Sequence, residues 1–196
     1  MYLEISARRT NKTKRLINNM AYHLSLNKHN KAVVVVANHQ FVKYINKYLQ
    51  DYSHVFNKDQ ALVMTANNFV KFINNSDGMR AFYDASPDEI VRFYFDEFDC
   101  YHYYGDNDFN DMILNSFLYL DKSYFVTTPC CLRSYNEFIK NDTNDLLINL
   151  IRKNDNNYMA YKMSYESMEK LKLIIEPYYN TTVLQLEVFG EFIKYE

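Results

Sequence analysis

The sequence predicts an α/β protein in which a parallel β-sheet is flanked by helices. Short apolar runs rich in β-branched and aromatic residues alternate along the chain with longer segments whose apolar residues recur at helical spacing. Residues 32–37 form a continuous apolar run, which is typical of a strand buried on both faces of a parallel sheet. Strands that alternate with helices favour such a sheet, because each helix crosses from one strand to the next.

Each element is predicted from its own pattern. The expected strands cover residues 2–6, 32–37, 61–65, 90–95 and 123–128. Helical spacing of Leu16, Ile17, Met20 and Leu24 predicts a first helix after the first strand. Further helices are expected at 41–49, 69–73, 107–120, 134–151, 164–175 and 181–189. Residues 74–89, with Asp77-Gly78 and Ser86-Pro87-Asp88, read as a loop.

Length and composition restrict the class of protein. A chain of 196 residues suits one domain, and we expect it to span 1–196, with helices from about 134 to 196 as an appended subdomain. The longest apolar run is too short for a transmembrane helix, so no membrane is expected. Three cysteines, two of them adjacent, argue against a disulfide framework and for a reducing cytosol. A net charge of −2 excludes a large basic groove.

The first candidate site is the octet SARRTNKT, which runs from Ser6 to Thr13. It is close to the phosphate-binding loop G-x-x-x-x-G-K-[ST], with Ser6 and Asn11 in place of the glycines. In such a loop backbone N–H groups hold the phosphates, the lysine reaches their oxygens and the Ser/Thr hydroxyl binds Mg²⁺. Asn11 is the best substitute for glycine in a left-handed backbone conformation. The alternative is an ordinary basic helix start.

Two later strands end in groups that suit the same chemistry. The largely apolar segment 91–95 is followed by Asp96 and Glu97, as in a Walker B segment, where the first acid holds Mg²⁺ and the second polarises the attacking water. The strand at 123–128 ends in Thr127 and Thr128, whose hydroxyls suit a γ-phosphate sensor. Ligands of parallel sheets bind at the carboxyl ends of strands, so we expect the three loops to converge.

With these motifs, the chain resembles the ATPase domain of the large terminase subunit, the motor that packages viral DNA. ARRTNKT resembles its Walker A, FYFDEFD its Walker B with the catalytic glutamate, and TTP its coupling motif. The stretch LEVFGEF, from Leu186 to Phe192, is similar to the segment that closes the ATPase half. The order of the four motifs agrees over nearly the whole chain, and this implies a P-loop NTPase-like fold.

The resemblance implies a virus-encoded ATPase of the host cytoplasm that couples ATP hydrolysis to translocation of double-stranded DNA. Its cofactors would be ATP and Mg²⁺, and its partners transiently bound DNA, the portal of the procapsid, a separate nuclease and further copies in a ring. Arg8 and Glu97 would be catalytic, and Thr13 and Asp96 would hold the metal. The nucleotide would bind Ser6, Ala7, Arg8, Arg9, Thr10, Asn11, Lys12, Thr13, Thr127 and Thr128. Cleavage of DNA by this chain is not expected.

Two other functions remain open at this point. One is a degenerate P-loop protein that binds a regulatory, viral or host partner without hydrolysis. Asn11 in place of the family's glycine favours this function. So does the interpretation of three tyrosines as surface residues, namely Tyr101, Tyr103 and Tyr104. A nucleotide kinase is a third class, although no acceptor-binding or lid segment is evident. In the motor interpretation Arg133 is a candidate to act on a neighbouring subunit's nucleotide.

Overall fold

The computed structural model describes a defined part of the chain, namely residues 1–6, 10–75, 90–98, 101, 109, 112–113, 122–127, 146–154 and 159. Several predictions lie outside these residues. They are the loop residues Ala7, Arg8 and Arg9, the threonine Thr128, Arg133, the segment 186–192, and the helices at 164–175 and 181–189.

Five strands form one all-parallel sheet, which confirms the predicted α/β fold of the P-loop NTPase type. They are β1 (Tyr2–Ile5), β2 (Lys31–Val36), β3 (Ala61–Thr65), β4 (Val91–Asp96) and β5 (Ser123–Thr127). Their order across the sheet is β1-β5-β4-β2-β3. Val33 of β2 is in register with Leu62 of β3 on one side and with Phe93 of β4 on the other.

The strand order places β1, β5 and β4 side by side, as predicted for the strands that carry Ile5, Val126 and Phe95. The expectation that β1 is central is wrong, because β1 is the outermost of the five strands. Its outer side pairs with Met159 in a parallel bridge, in which Ile5 N–H donates to Met159 O and Met159 N–H to Leu3 O, both at 2.9 Å.

The helices follow the apolar periodicity of the sequence. They are α1 (Lys12–Leu26), α2 (His39–Asp51), α3 (Ala66–Asn74) and α4 (Leu146–Lys153), with a short 3₁₀ turn at Lys58–Gln60. Asn38 caps α2, because its side-chain oxygen accepts from the N–H groups of Gln40 and Phe41 at 3.0 and 3.3 Å. Of the helices expected at 107–120 and 134–151, the described residues 109, 112, 113 and 146–153 are helical. Among the described residues no helix is long and apolar enough to cross a membrane.

The middle of the sheet is packed with aromatic side chains. Phe95 of β4 stacks on Phe125 of β5 with ring centroids 4.4 Å apart, and it meets Phe69 of α3 edge to face at 5.4 Å. All three rings are fully buried, as are the four valines at positions 33–36 of β2 to within 1%. This packing holds the strands in place, since each buried aromatic side chain removes a large apolar area from water.

The chain divides into two compact units. One comprises Met1–Tyr2 and Thr13–Phe125, and the other Leu3–Lys12 and Val126–Glu196. The first unit contains β2, β3, β4, α2 and α3, and the second contains α4. The expectation of one domain over 1–196 with an appended subdomain from about residue 134 stays a prediction.

Candidate functional site

The first feature of the site is a hydrogen bond between the two predicted metal ligands. Thr13, in the first turn of α1, donates its hydroxyl to the carboxylate of Asp96, the last residue of β4, at 3.1 and 3.0 Å from the two oxygens. The Asp96 side chain is 2% exposed. A distance above about 10 Å would have prevented these groups from sharing one Mg²⁺ ion and its water shell, so the geometry meets this condition.

Tyr101 forms a hydrogen bond with the backbone of Asp96. Its hydroxyl lies 2.6 Å from the carbonyl oxygen of Val35 and 2.9 Å from that of Asp96, and it therefore donates toward the ends of the neighbouring strands β2 and β4. The surface interpretation of Tyr101 is wrong, because this residue is fully buried, whereas Tyr103 and Tyr104 lie outside the described residues. No sequence pattern marks this role, since both partners are backbone carbonyl groups.

Two residues of the candidate site have left-handed backbone conformations. Among the described residues, positive φ without glycine occurs at Asn11, with φ of 61°, and at Glu97, with φ of 53°. Asn11 directly precedes α1, and Glu97 directly follows β4. A side chain with a Cβ atom destabilises this conformation, and such strain is concentrated at functional sites. A residue with this conformation therefore adjoins Lys12, a predicted phosphate ligand, and another adjoins Asp96, a predicted metal ligand.

The other described residues of the predicted loop have these environments. Ser6 is fully buried, and its N–H donates to the carbonyl oxygen of Thr127 at 3.0 Å. Thr127 is also fully buried, and Thr10 is half-buried. Lys12, the first residue of α1, is buried although it is charged. Burial of an ammonium group is costly unless the group is paired, and Lys12 is not without an interaction partner in the structure.

An aromatic pair on α2 was not predicted from the sequence. Tyr44 and Tyr48 meet edge to face with centroids 4.9 Å apart. A hydrogen bond with Tyr48 raises the pKa of Tyr44 to about 12, helped by partial burial and by electrostatic interaction with Tyr48 and with the Asp96 carboxylate. Tyr44 therefore stays protonated at neutral pH, and its hydroxyl lies within the electrostatic reach of Asp96. The spacing of Phe41, Tyr44 and Tyr48 on one helix face was the available signal.

The donor set suits a magnesium ion that is bound together with phosphate oxygens. Mg²⁺ is held through one or two carboxylates, a phosphate and several waters, and it requires no dedicated protein cage. The Thr13 hydroxyl and the Asp96 carboxylate supply two oxygen groups at the start of a helix. In the described part of the chain no three His, Cys, Asp or Glu side chains cluster to hold a metal without such a ligand.

No protein-family model matches the chain, and no curated protein matches its sequence.

Proposed function

We propose that this chain binds ATP with Mg²⁺ and hydrolyses it. The observation that carries the proposal is the Thr13–Asp96 hydrogen bond, which joins the start of a helix to the carboxyl end of a buried parallel strand. The hydroxyl oxygen of Thr13 keeps its lone pairs for a metal ion while its proton points to Asp96. This arrangement suits a metal bound between a carboxylate and a phosphate.

The phosphates are held by the start of α1 in this proposal. Backbone N–H groups in the first turn of a helix lack partners within the helix and attract anions. Lys12 adds a positive charge at this point, and Thr10 and Asn11 lead the chain into the turn. Bound Mg²⁺ would neutralise charge on the phosphate oxygens. Arg8, whose structure is outside the described residues, would contact the γ-phosphate.

Glu97 is the residue proposed to act on water. It is the next residue in the chain after Asp96, the proposed metal ligand. Its side chain is half-buried. A positioned carboxylate that accepts a proton from the attacking water accelerates hydrolysis by about 10²–10⁴. Its left-handed backbone, with φ of 53°, sets the direction in which the side chain leaves the strand end.

The deciding experiment measures binding of a fluorescent ATP analogue with and without Mg²⁺. We expect binding that requires Mg²⁺ and falls at least tenfold in Lys12→Ala, because a phosphate contact is lost. The matched control is Lys14→Ala, which removes an exposed lysine two residues further along the same helix and should leave binding unchanged. Equal loss in both variants, or no binding by the native chain, would contradict the proposal.

We further propose that this ATPase is a subunit of a viral DNA-packaging motor in the host cytoplasm. The support is the order of the four terminase-like motifs, together with the parallel sheet on which three of them would sit. Partners would be double-stranded DNA, the portal of the procapsid, a separate nuclease and further copies of the chain. Turnover per chain should then rise with protein concentration or on adding DNA and portal. Turnover that stays flat would contradict assembly-dependent activation by a residue such as Arg133.

The second candidate function is partner binding without hydrolysis, and Asn11 favours it. The left-handed angle that glycine adopts freely is here adopted by asparagine, whose side chain narrows the approach to the β-phosphate. The burial of Tyr101 removes one of the three tyrosines that motivated this alternative. The variant Asn11→Gly separates the two functions. If it gains hydrolysis that the native chain lacks, the native site has lost its activity.

A further inference from the structure

We propose that a second pocket, at the opposite ends of the strands, binds a nucleotide through its phosphate and its base. The pocket has a volume of about 360 Å³ and lies at the amino ends of β4 and β5 and beside α1. The residues that matter for recognition are Tyr2, Asn19, Arg92, Tyr94, Lys122 and Tyr124. None of them belongs to the Thr13–Asp96 site.

The pocket is distinct from the site at the carboxyl ends. Arg92 is the second residue of β4 and Asp96 the last, so they are four positions apart along one strand. At a rise of about 3.3 Å per residue, the two positions lie ~13 Å apart. The proposal therefore does not depend on ATP hydrolysis at the first site.

The charge of the pocket is positive. Arg92 and Lys122 are both exposed at its mouth, and among the described residues that line it there is no Asp or Glu. The two lining cations contrast with the net charge of −2 for the whole chain. Arginine and lysine side chains in such a position recognise phosphate, with arginine forming two parallel hydrogen bonds.

Tyr94 forms the polar floor of the pocket. It is fully buried, and its hydroxyl donates to the side-chain oxygen of Asn19 at 3.3 Å. Burial raises the pKa of Tyr94 to about 12, against the opposing effects of the Arg92 charge and hydrogen bond. Tyr94 is therefore neutral at physiological pH. The neutral phenol oxygen of Tyr94 accepts a hydrogen bond from the Arg92 guanidinium, and it leaves the positive charge of Arg92 unchanged.

The walls of the pocket are aromatic. Tyr2 and Tyr124 stack with ring centroids 4.0 Å apart and planes 20° from parallel, and Tyr94 lies 5.9 Å from Tyr124. Tyr2 and Tyr124 are half-buried, so part of each ring faces solvent. Aromatic rings next to cations are the usual elements of sites that stack a base while they hold its phosphate.

The ligand class follows from this combination. A simple anion would use the cations but not the rings, and an apolar ligand would use the rings but not the cations. A nucleotide uses both, and the pocket volume lies within the range of small-ligand sites. The same chemistry is offered by a free mononucleotide and by one unit of a single-stranded nucleic acid.

The test uses a fluorescein-labelled ten-nucleotide oligothymidylate, with thymidine monophosphate as competitor. Binding is followed by fluorescence anisotropy in EDTA, which excludes any Mg²⁺-dependent site. Arg92→Gln and Tyr124→Leu should each weaken binding about tenfold, since a phosphate contact or a stacking surface is lost. Arg92→Lys should restore most of the affinity. The matched control Lys71→Gln removes an exposed lysine on α3, beside the far edge of the sheet, and should change nothing.

The outcomes distinguish the two ligand sources. Competition by thymidine monophosphate would assign the pocket to single nucleotides, and oligonucleotide binding without such competition would assign it to single strands. In either case Arg92→Gln should also reduce the dependence of the logarithm of affinity on the logarithm of salt concentration, by about 0.7 for the oligonucleotide. Absence of binding by the native chain, or binding that Arg92→Gln leaves intact, overturns the proposal. Arg92 is exposed, so its variant tests the pocket even if Tyr124→Leu fails to fold.

Discussion

The two ends of strand β4 differ in charge, in burial and in the way they are held. At the carboxyl end the acid Asp96 is buried and is tied by Thr13 and Tyr101. At the amino end Arg92 is exposed beside an open pocket. The exposed cation Arg92 and the buried acid Asp96 thus lie within five consecutive residues of one strand. Fixed groups are what the proposed hydrolysis requires, and exposed groups beside an open pocket are what the proposed reversible binding requires.

The same contrast appears in the hydrogen bonds at each end. At the carboxyl end Tyr101 binds the backbone of both β2 and β4, so a side chain joins the neighbouring strands. At the amino end His23 has a similar role, because its Nε2 lies 3.2 Å from the carbonyl oxygen of Lys31, the first residue of β2, and 3.1 Å from that of Ile90, the residue before β4. Of these two side chains, His23 is the one whose ordinary pKa lies near neutral pH.

The largest expected effect is on turnover at the carboxyl end. Glu97→Gln should lower ATP hydrolysis by about 10²–10⁴, because the amide cannot accept the proton of the attacking water. Binding of Mg-ATP should stay within about threefold, since the substitution keeps the shape of the side chain. Steady-state hydrolysis and equilibrium binding measure the two quantities separately. A variant that hydrolyses ATP at the native rate would remove Glu97 from the proposed chemistry.

The second prediction concerns the buried hydroxyl that holds the carboxyl end. Tyr101→Phe should lower the free energy of unfolding by about 1–3 kcal/mol, because a hydroxyl bound to two carbonyl oxygens is removed without a replacement. Urea unfolding followed by circular dichroism measures the change. The matched control is Tyr22→Phe, since Tyr22 is 64% exposed and should tolerate the loss of its hydroxyl. Equal changes in both variants would mean that the Tyr101 hydroxyl does not stabilise the strand ends.

The sequence was sufficient for the fold because the strands have strong local patterns. The run at 32–37 has no polar residue, and its prediction as a buried strand agrees with β2 to within one residue at either end. Asp96 and Glu97 could be placed at a strand end for the same reason. The strand order could not be predicted locally, and the central position expected for β1 was wrong.

The details of the site were harder to predict because they depend on contacts between distant residues. Thr13 and Asp96 are 83 residues apart, and their pairing was inferred from a motif and not from a propensity. Tyr101 was misinterpreted because tyrosines at 101, 103 and 104 look alike in sequence, while its partner Val35 is 66 residues away. The nucleotide pocket has no motif at all. Its cations come from two strand starts that only the sheet brings together.

The third prediction tests the amino end through pH. Burial lowers the pKa of His23, and the nearby Arg92 charge lowers it further, against the hydrogen bonds to Lys31 and Ile90. The unfolded chain therefore takes up a proton near pH 6.5 while the folded chain does so only at lower pH. Stability should be complete above about pH 6.5 and fall as the pH drops below it toward the folded pKa.

The variant His23→Gln isolates this effect, because its amide can still donate to the two carbonyl oxygens but does not titrate. Its urea-unfolding free energy should depend less on pH between 7 and 5 than that of the native chain. The control His29→Gln replaces an exposed histidine and should keep the native dependence. If the His23→Gln variant loses stability with falling pH as steeply as the native chain, His23 is not the group responsible.

The smallest expected effect concerns the stabilities of glycine and alanine variants. The order of these two stabilities at Glu97 should be the reverse of the order at Arg92. Glycine normally destabilises a strand relative to alanine, by roughly 0.5–1 kcal/mol, and this order should hold for Arg92→Gly and Arg92→Ala at the amino end. At Glu97 the left-handed backbone, with φ of 53°, costs about 1–2 kcal/mol for any residue with a Cβ atom. Glu97→Gly should therefore be more stable than Glu97→Ala by a few tenths to about 1 kcal/mol. Urea unfolding of the four variants measures both differences under one set of conditions. The same order at both positions would mean that the backbone at Glu97 carries no strain, and the two ends of β4 would then differ in charge and burial alone.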